Sequence, residues 1–278
     1  MLYYHRNPTS ISNSQTMEIL LEHPGKIESF TTIFLSMKSI TQSVNVHFNA
    51  DRMYVQTMDA ARVSILEVTL PKEWFDAYSC SESVTIGVST IAIHKILSTA
   101  KKDHSIRIKW ERDTDSLDII MTSTQENHRS FEQQFTCPLM DIEEEVMAIP
   151  TMEYHIEMTM SSLIFSSVIK QLREFGDCLD IRCNEEVNSW TAMAKENRES
   201  MSVNIKIDDI DEFVTDEGAD LVLSFALNYL THVSPYSKIS KNVTVRLHSE
   251  FPLRLDYTLD NGGVIYYYLA PKVRGDDE

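Results

Sequence analysis

The sequence predicts an α+β fold built from two similar halves. Its 278 residues exceed the size usual for one domain and suit two domains of similar size. The order helix, strands, helix, strands occurs twice along the chain, and an acidic segment bounded by prolines separates the two occurrences. Residue identity between the halves is low, so only the order of predicted helices and strands is repeated.

The first half follows a polar extension over residues 1–16, which we expect to be disordered. Residues 26–42 carry apolar side chains at helical spacing, and residues 89–102 do so again. Elsewhere the period changes to two, which predicts strands around residues 44–48, 53–55, 63–70, 106–110 and 117–121.

The second half repeats this order after the linker. Helical spacing predicts helices over residues 161–174 and 224–233. Strands are predicted at residues 179–183, 243–247 and 264–268. The segment 138–150 between the halves is acidic at one end and apolar at the other. The segment is therefore predicted to be a linker. Its apolar side chains are expected either to be buried or to contact a partner.

Composition excludes several classes of protein. With 42% apolar and 24% charged residues, the chain is expected to fold. It has neither an apolar run long enough to span a membrane nor a secretory signal at its start, so we expect an intracellular protein. The four cysteines and nine histidines are scattered, and their spacing matches no usual metal site. We therefore expect neither a metal nor a cofactor.

An enzyme is not expected either. Pro24-Gly25-Lys26 lacks the remaining residues of a phosphate-binding loop, and no nucleophile elbow occurs. The carboxylates Asp208 and Asp209 belong to an acidic segment, residues 208–220, that is most simply a solvated loop.

The distribution of charge is more informative than its total. A net charge of −17 disfavours nonspecific binding to nucleic acid. However, the four predicted helical segments, with the last taken to Lys241, sum to +7 and leave −24 for the rest. The predicted helices are thus basic and the remainder of the chain is acidic.

Short motifs resemble one known family from about Met17 to Lys272. They occur in the family's order and at its separations: Gln56-Thr57-Met58-Asp59 with Val63-Ser64, Leu139-Met140-Asp141 with Ile149-Pro150, Phe175-Gly176-Asp177 with Ile181-Arg182-Cys183, Phe225-Ala226-Leu227-Asn228-Tyr229-Leu230, Phe251-Pro252-Leu253-Arg254-Leu255-Asp256-Tyr257 and Tyr267-Tyr268-Leu269-Ala270-Pro271-Lys272. The family is that of proliferating cell nuclear antigen (PCNA). The chain departs from it in its extension and at Asn228 and Pro235, where the family is commonly basic.

This resemblance implies a two-domain DNA clamp fold that forms a ring, with helices lining a central hole and antiparallel sheets outside. It implies a homotrimer that encircles double-stranded DNA regardless of base sequence and catalyses nothing. The implied divisions are clamp domains at 17–138 and 151–273, an interdomain connecting loop at 139–150, and an acidic tail at 274–278.

Three sets of site residues follow from combining the resemblance with the sequence. The cations expected to face DNA are Lys38, Lys95, Lys101, Lys102, Lys170, Arg173, Lys238 and Lys241. Subunits are expected to pair strands at about 130–137 and 202–207, through Ser130, Phe131, Phe135, Cys137, Val203, Ile205 and Ile207. Partner peptides are expected to bind Met58, Arg62, Val63, Met147, Ile149, Pro150, Pro252, Tyr268, Leu269, Ala270, Pro271 and Lys272.

The implied partners are a DNA polymerase, a clamp loader, and nuclease-type or ligase-type proteins that carry PCNA-interacting peptides. The implied location is the nucleus, or the replication site of a large DNA virus in its host cell. Two alternatives stay open at this point: a subunit of a checkpoint-type heterotrimer, and a monomeric viral processivity factor. The acidic net charge disfavours the monomer that adheres to DNA.

Overall fold

The structure, a computed structural model, describes residues 16–123, 132–143, 146–193 and 199–272. Its α-helices in these ranges are α1 (Pro24–Ile40), α2 (Thr90–Leu97), α3 (Ser162–Phe175) and α4 (Leu227–Thr231). The strands of the first half are β1 (Thr16–Leu21), β2 (Ser43–Phe48), β3 (Arg52–Met58), β4 (Ser64–Pro71), β5 (Ala77–Cys80), β6 (Val84–Ser89), β7 (His104–Glu111), β8 (Ser116–Ser123) and β9 (Glu132–Pro138). Those of the second half are β10 (Ile156–Ser161), β11 (Cys178–Asn184), β12 (Asn188–Met193), β13 (Ser200–Asn204), β14 (Glu212–Thr215), β15 (Asp220–Ala226), β16 (Asn242–Leu247), β17 (Leu253–Thr258) and β18 (Val264–Leu269).

The described strands form three antiparallel sheets. A five-stranded sheet of the first half has the order β5-β1-β7-β8-β9, and a four-stranded sheet of the second half has the order β13-β12-β11-β15. A nine-stranded sheet, β14-β10-β16-β17-β18-β4-β3-β2-β6, takes strands from both halves. The halves meet at β18 and β4, where Tyr268 lies opposite Ile65 and Tyr266 opposite Glu67. One hydrogen-bonded ladder therefore joins the two halves.

Strand residues alternate between the core and the outer surface. In β1, the side chains of Met17, Ile19 and Leu21 are buried, whereas Glu18 and Leu20 are half-exposed. Burying one such aliphatic side chain contributes about 1.5–3 kcal/mol. The buried faces of the sheets pack against the helices: α1 contacts β3 and β7, and α3 contacts β10, β12 and β16.

The helices form one layer across both halves. α1 packs against α2, and α3 packs against α4 and the 3-10 turn Ser234–Lys238. This turn also contacts α1, so the helices of the two halves meet at the middle of the layer. None of the helices in the described part of the chain is long and apolar enough to cross a membrane.

The helix predicted over residues 89–102 is too long. It ends at Leu97, where the Ser98 hydroxyl donates to the His94 carbonyl (2.7 Å) and competes with continued helical hydrogen bonding. Consequently Lys101 and Lys102 lie in the turn between α2 and β7.

The helix predicted over residues 224–233 is also wrong in its extent. Residues 224–226 complete β15, in which Phe225 pairs with Leu179 of β11. Only α4 is helical, and the following 3-10 turn has Pro235 near its start. Pairing with a neighbouring strand has overridden the helical spacing of the apolar residues.

β5 and β14, with four residues each, are too short to show a period, but β1 and β10 alternate in burial and were missed nonetheless. Seven of the described strands were not predicted. These are β1, β5, β6, β10, β12, β14 and β15. The acidic segment 208–220, expected to be a loop, contains β14, which pairs with β10 at the edge of the nine-stranded sheet. The predicted extension 1–16 and tail 274–278 lie outside the described residues, apart from Thr16 in β1.

Candidate functional site

Three of the cations expected to face DNA lie on the exposed side of the helix layer. Lys38 is on the last turn of α1, Lys95 on α2 and Lys170 on α3, and all three side chains are exposed. Lys38 Nζ lies 3.4 Å from His94 Nδ1, which brings the basic ends of α1 and α2 together. Burial and the adjacent Lys38 lower the pKa of His94, which favours its neutral form.

The remaining expected cations lie off the helices or are paired. Lys238 ends the 3-10 turn, and Lys241 is in the bend before β16, where its carbonyl accepts a hydrogen bond from the Ser162 amide (3.0 Å). Arg173 of α3 forms an ion pair with Asp177 (2.6 Å). The charge of +7 assigned to helical segments is therefore wrong for the helices themselves, since Lys101, Lys102, Lys238 and Lys241 are in turns.

The two strands expected at subunit contacts are both edge strands. β9 pairs with β8 alone and β13 with β12 alone among the described strands. Within β9, Phe135 is half-buried and Cys137 buried, whereas Ser130 and Phe131 lie outside the described residues. Each sheet thus presents one unpaired row of backbone groups at this edge, which is the arrangement that accepts a strand from another chain.

The strand predicted at about residues 202–207 is shifted towards the N terminus. β13 covers Ser200–Asn204, with Val203 half-buried. The Ile205 amide still donates to the Asn188 carbonyl (2.9 Å), but this is where β12 begins. Beyond the end of its partner strand the chain turns, and Ile207 starts a 3-10 turn.

The linker is held against the first half at three points. The Met140 amide donates to the Gly87 carbonyl (2.9 Å), and Asn45 Nδ2 donates to the Ile142 carbonyl (3.0 Å). A Cβ on Gly87 would lie 2.1 Å from the Met140 carbonyl oxygen, so this approach requires glycine. Farther along, the side-chain amide of Gln56 bonds both backbone groups of Met147.

Apolar side chains of the linker stay exposed beside a groove. Val146 is 47% and Met147 39% exposed, whereas Ile149 is half-buried, so part of the linker offers apolar side chains to a partner. The groove has a volume of about 840 Å³ and runs between the linker and the ends of β2 and β3. Its walls include Met58, Arg62 and Met147 from the expected peptide-binding set, together with Lys38.

Asp59 stabilises a tight turn that contains Arg62. Asp59 accepts hydrogen bonds from the amides of Ala61 (2.8 Å), Val63 (2.9 Å) and Ser64 (2.6 Å). Burial raises the pKa of Asp59, but these hydrogen bonds outweigh it and lower the value. Arg62 has φ of 59°, in the left-handed region, which non-glycine residues adopt uncommonly and which Asp113 and Asn261 also adopt.

The C-terminal part of the expected peptide-binding set lies along the same side of the sheet. The Ala270 amide donates to the Val63 carbonyl (2.9 Å), so the chain after β18 runs beside the Arg62 turn. Tyr268 is 6% exposed, and Pro252 is half-buried. Ile149 and Pro271 are half-buried as well, and Pro150 and Lys272 are exposed. Leu269 is 1% exposed and its backbone lies in the ladder between β17 and β4, so this residue belongs to the core.

Family models, a curated relative and a solved structure all match this chain to the same family. The family model for the N-terminal domain of proliferating cell nuclear antigen matches residues 26–146, and the model for its C-terminal domain matches residues 148–272. The chain belongs to the PCNA family. Clamps of this family are non-enzymatic scaffolds that act on DNA during replication and repair and associate with replication proteins.

Relatives and solved structures agree with this assignment. PCNA of Chaetomium thermophilum is 27% identical over 246 residues, which cover 87% of this chain and 93% of that protein. A crystal structure of a PCNA2-PCNA3 complex from Sulfolobus tokodaii superposes with a TM-score of 0.80 at 20% identity, covering 92% of this chain and 99% of the other. The expectation of a two-domain PCNA-type clamp fold is confirmed.

Sequence reasoning missed the residues that position the linker. Asn45 and Gln56 hold its backbone, and Gly87 allows its close approach. Gln56 belongs to a motif quoted for the resemblance, but nothing in that motif indicates a contact with a residue 91 positions away.

Proposed function

We propose that this clamp is a homotrimeric ring that encircles duplex DNA and tethers replication enzymes through a peptide-binding pocket beneath its linker. The observation that carries the proposal is the combination of one continuous helix layer with two unpaired sheet edges, β9 and β13. A head-to-tail contact between these edges joins each subunit to the next, and a rotation that closes after three subunits yields a ring.

The direction of the outward backbone groups supports pairing of the two edges. The Leu139 amide donates to Asp115 of the neighbouring chain segment, so by alternation the amides of Gln134 and Thr136 point away from β8. Likewise the Ile205 amide donates towards β12, so the amides of Ser202 and Asn204 point outward. Each edge therefore offers donors and acceptors at the spacing of an antiparallel partner.

The exposed helix lysines supply the contact with DNA. Lys38, Lys95 and Lys170 place positive charge on the side of the layer opposite the sheets, and the acidic remainder of the chain discourages binding elsewhere. Contacts of this kind engage phosphates and therefore hold a duplex without regard to sequence. The lysines in adjoining turns, such as Lys101 and Lys102, add to the same field.

The pocket recruits partners that carry a short peptide with an aromatic pair. Met58, Met147 and Ile149 supply apolar surface, and the backbone carbonyls of residues 270–272 supply acceptors for the peptide, since the amides of Ala270 and Lys272 already donate to Val63 and Ser224. Such aromatic anchors are worth about 2–4 kcal/mol each in a buried pocket. A DNA polymerase, a clamp loader and nuclease-type or ligase-type proteins are the proposed partners, and the nucleus or a viral replication site is the proposed location. The proposed domains are 17–138 and 151–273.

A hetero-oligomeric ring is the alternative. It is favoured by one observation, that the similar structure from Sulfolobus tokodaii is of a complex between two different chains. In that case this chain would pair β9 or β13 with the edge of a different subunit.

A topological experiment tests the proposal. A labelled duplex is fixed to a bead at one end, the protein threads over the free end, and that end is then blocked with a bulky protein. The proposal expects protein to be retained through a high-salt wash and released when the duplex is cut. Loss in the wash, or retention after cutting, would contradict encirclement.

A further inference from the structure

The side-chain amide of Gln56 hydrogen-bonds the linker backbone in the way that the backbone of a neighbouring strand would. Its Nε2 donates to the Met147 carbonyl (2.9 Å), and its Oε1 accepts from the Met147 amide (2.7 Å). A side-chain amide has one acceptor and a donor group, so it satisfies both backbone groups at once. Gln56 is 9% exposed, which shields these bonds from water.

The carboxylate of Glu67, in β4, contacts side chains from two neighbouring strands, β3 and β18. Tyr54 Oη donates to Oε1 (2.5 Å), Gln56 Nε2 lies 3.5 Å from the same oxygen, and Tyr268 Oη donates to Oε2 (3.2 Å). Hydrogen bonds to an ionised group are about twice as strong as neutral ones. Burial and the Glu67 carboxylate raise the pKa of Tyr54 well above its ordinary value, so its hydroxyl stays protonated and remains a donor.

This carboxylate lies at the junction of the two halves. β3, β4 and β18 are consecutive strands of the nine-stranded sheet, and β4 and β18 are the pair that joins the halves. Tyr268 is also fixed from the second half, because the Arg254 guanidinium lies 5.8 Å from its ring centroid and 4.1 Å from that of Tyr266. Glu67 thus connects the linker, through Gln56, with a side chain on the far side of the junction.

We propose that Glu67 and Gln56 are positioning residues of the partner-peptide pocket. Glu67 orients Tyr268 and Gln56, and Gln56 fixes the linker backbone at Met147. A pocket whose walls are fixed before binding avoids the cost of ordering them when the peptide arrives. The effect on peptide affinity rests on the proposed function, whereas the hold on the linker does not.

Hydrogen exchange of the Met147 amide in the full-length protein measures the hold directly. In Gln56→Leu this amide loses its acceptor, and we expect exchange about tenfold faster or more, since one or two hydrogen bonds are lost. In Glu67→Leu, Gln56 loses its support, and we expect a smaller acceleration. In Glu67→Gln the side-chain carbonyl still accepts from one tyrosine hydroxyl and the NH2 group can donate to the other, so we expect this variant to stay closer to the original protein than Glu67→Leu.

Affinity for a short synthetic peptide that ends in a Phe-Phe pair is measured on the same variants. We expect Gln56→Leu and Glu67→Leu to bind it about tenfold more weakly, while Glu67→Gln binds nearly as well as the unmodified chain. The matched control is Glu18→Leu, a strand glutamate on the five-stranded sheet that accepts from Arg107 (2.6 Å). Its exchange at Met147 and its peptide affinity should not change.

The outcomes separate this proposal from the proposed function. Unchanged exchange at Met147 in both leucine variants would overturn the positioning role. Faster exchange in Gln56→Leu but not in Glu67→Leu would show that Gln56 positions the linker and that Glu67 does not. Faster exchange in both, together with no binding of the peptide by the unmodified chain, would support the hold on the linker and contradict the proposed pocket.

Discussion

Substituting Ser202 by proline is expected to break the ring without unfolding the subunit. By strand alternation the Ser202 amide points away from β12, so its loss removes nothing from the sheet of its own chain. Proline is tolerated on edge strands at positions of this kind. If β13 pairs with β9 of the next subunit, however, the substitution removes a donor from the subunit contact and places a ring against the neighbour's carbonyl.

The magnitude follows from the number of contacts in a ring. Leaving one carbonyl at an interface without its donor costs about 1–3 kcal/mol. A trimeric ring has three such interfaces, so its assembly is weakened by about 3–9 kcal/mol in total. The concentration for half assembly varies as the inverse square root of the trimer assembly constant, and we therefore expect it to rise at least about tenfold.

Light scattering over a dilution series, with thermal unfolding of each variant, measures this effect. Ser202→Ala is the matched control, because it removes the same hydroxyl contacts with Ser189 and Thr191 but keeps the amide. The Ser202→Pro variant should dissociate at concentrations at which Ser202→Ala remains assembled. A folded Ser202→Pro variant with unchanged assembly would show that β13 is not a pairing edge.

Three further predictions concern the helix layer, the first helix and the pocket. Replacing Lys38, Lys95 and Lys170 together by Ala should lower the slope of log affinity for DNA against log salt by about 2.7, if each makes one phosphate contact per ring. Asp76→Asn should lower the free energy of unfolding by about 2 kcal/mol at pH 7. Burial raises the pKa of Asp76, but hydrogen bonds from Glu22, Lys26 and His23 outweigh it and lower the pKa to about 2. The unfolded carboxyl has the higher pKa, so this stabilisation is present above about pH 4 and is lost as pH falls towards 2, which urea unfolding at several pH values checks. Met147→Ala should weaken binding of the aromatic peptide about 5–30-fold in a titration and leave assembly unchanged.

Each of these has a control on the same protein. Lys109→Ala removes a cation of β7 that is paired with Glu111 (2.5 Å), and its salt slope should equal that of the unmodified chain. Asp51→Asn, at a side chain 82% exposed, should leave the unfolding free energy nearly unchanged. Val187→Ala removes another exposed apolar side chain and should not affect peptide binding. An equal effect from variant and control would contradict the corresponding assignment.

The parts of the fold that the sequence predicts best are those whose pattern is set within the element. Residues 26–42 and 161–174 bury one helical face, and α1 and α3 begin and end within two residues of these limits. The segment 63–70 is rich in residues that favour strands, and residues 64–71 form β4. By contrast, the four residues of β14 form a strand only because β10 lies beside them, and no local pattern indicates this.

The same distinction applies to the candidate site. Three glutamates precede the apolar end of the linker in sequence, which favours exposure of Met147, and Met147 is exposed, but Ile149 is half-buried. The Gln56 contact with Met147 and the Glu67 contact with Tyr268 depend on how strands far apart in sequence become neighbours. Such contacts become visible only once the register of β3, β4 and β18 is known.

The molar mass of the unmodified chain in solution tests the central claim most directly. Light scattering at micromolar concentration and moderate salt is expected to give about 96 kDa, three times the 32.0 kDa of one chain. This value should persist on dilution to the point at which the Ser202→Pro variant has dissociated. A mass of 32.0 kDa throughout the series would contradict a homotrimeric ring.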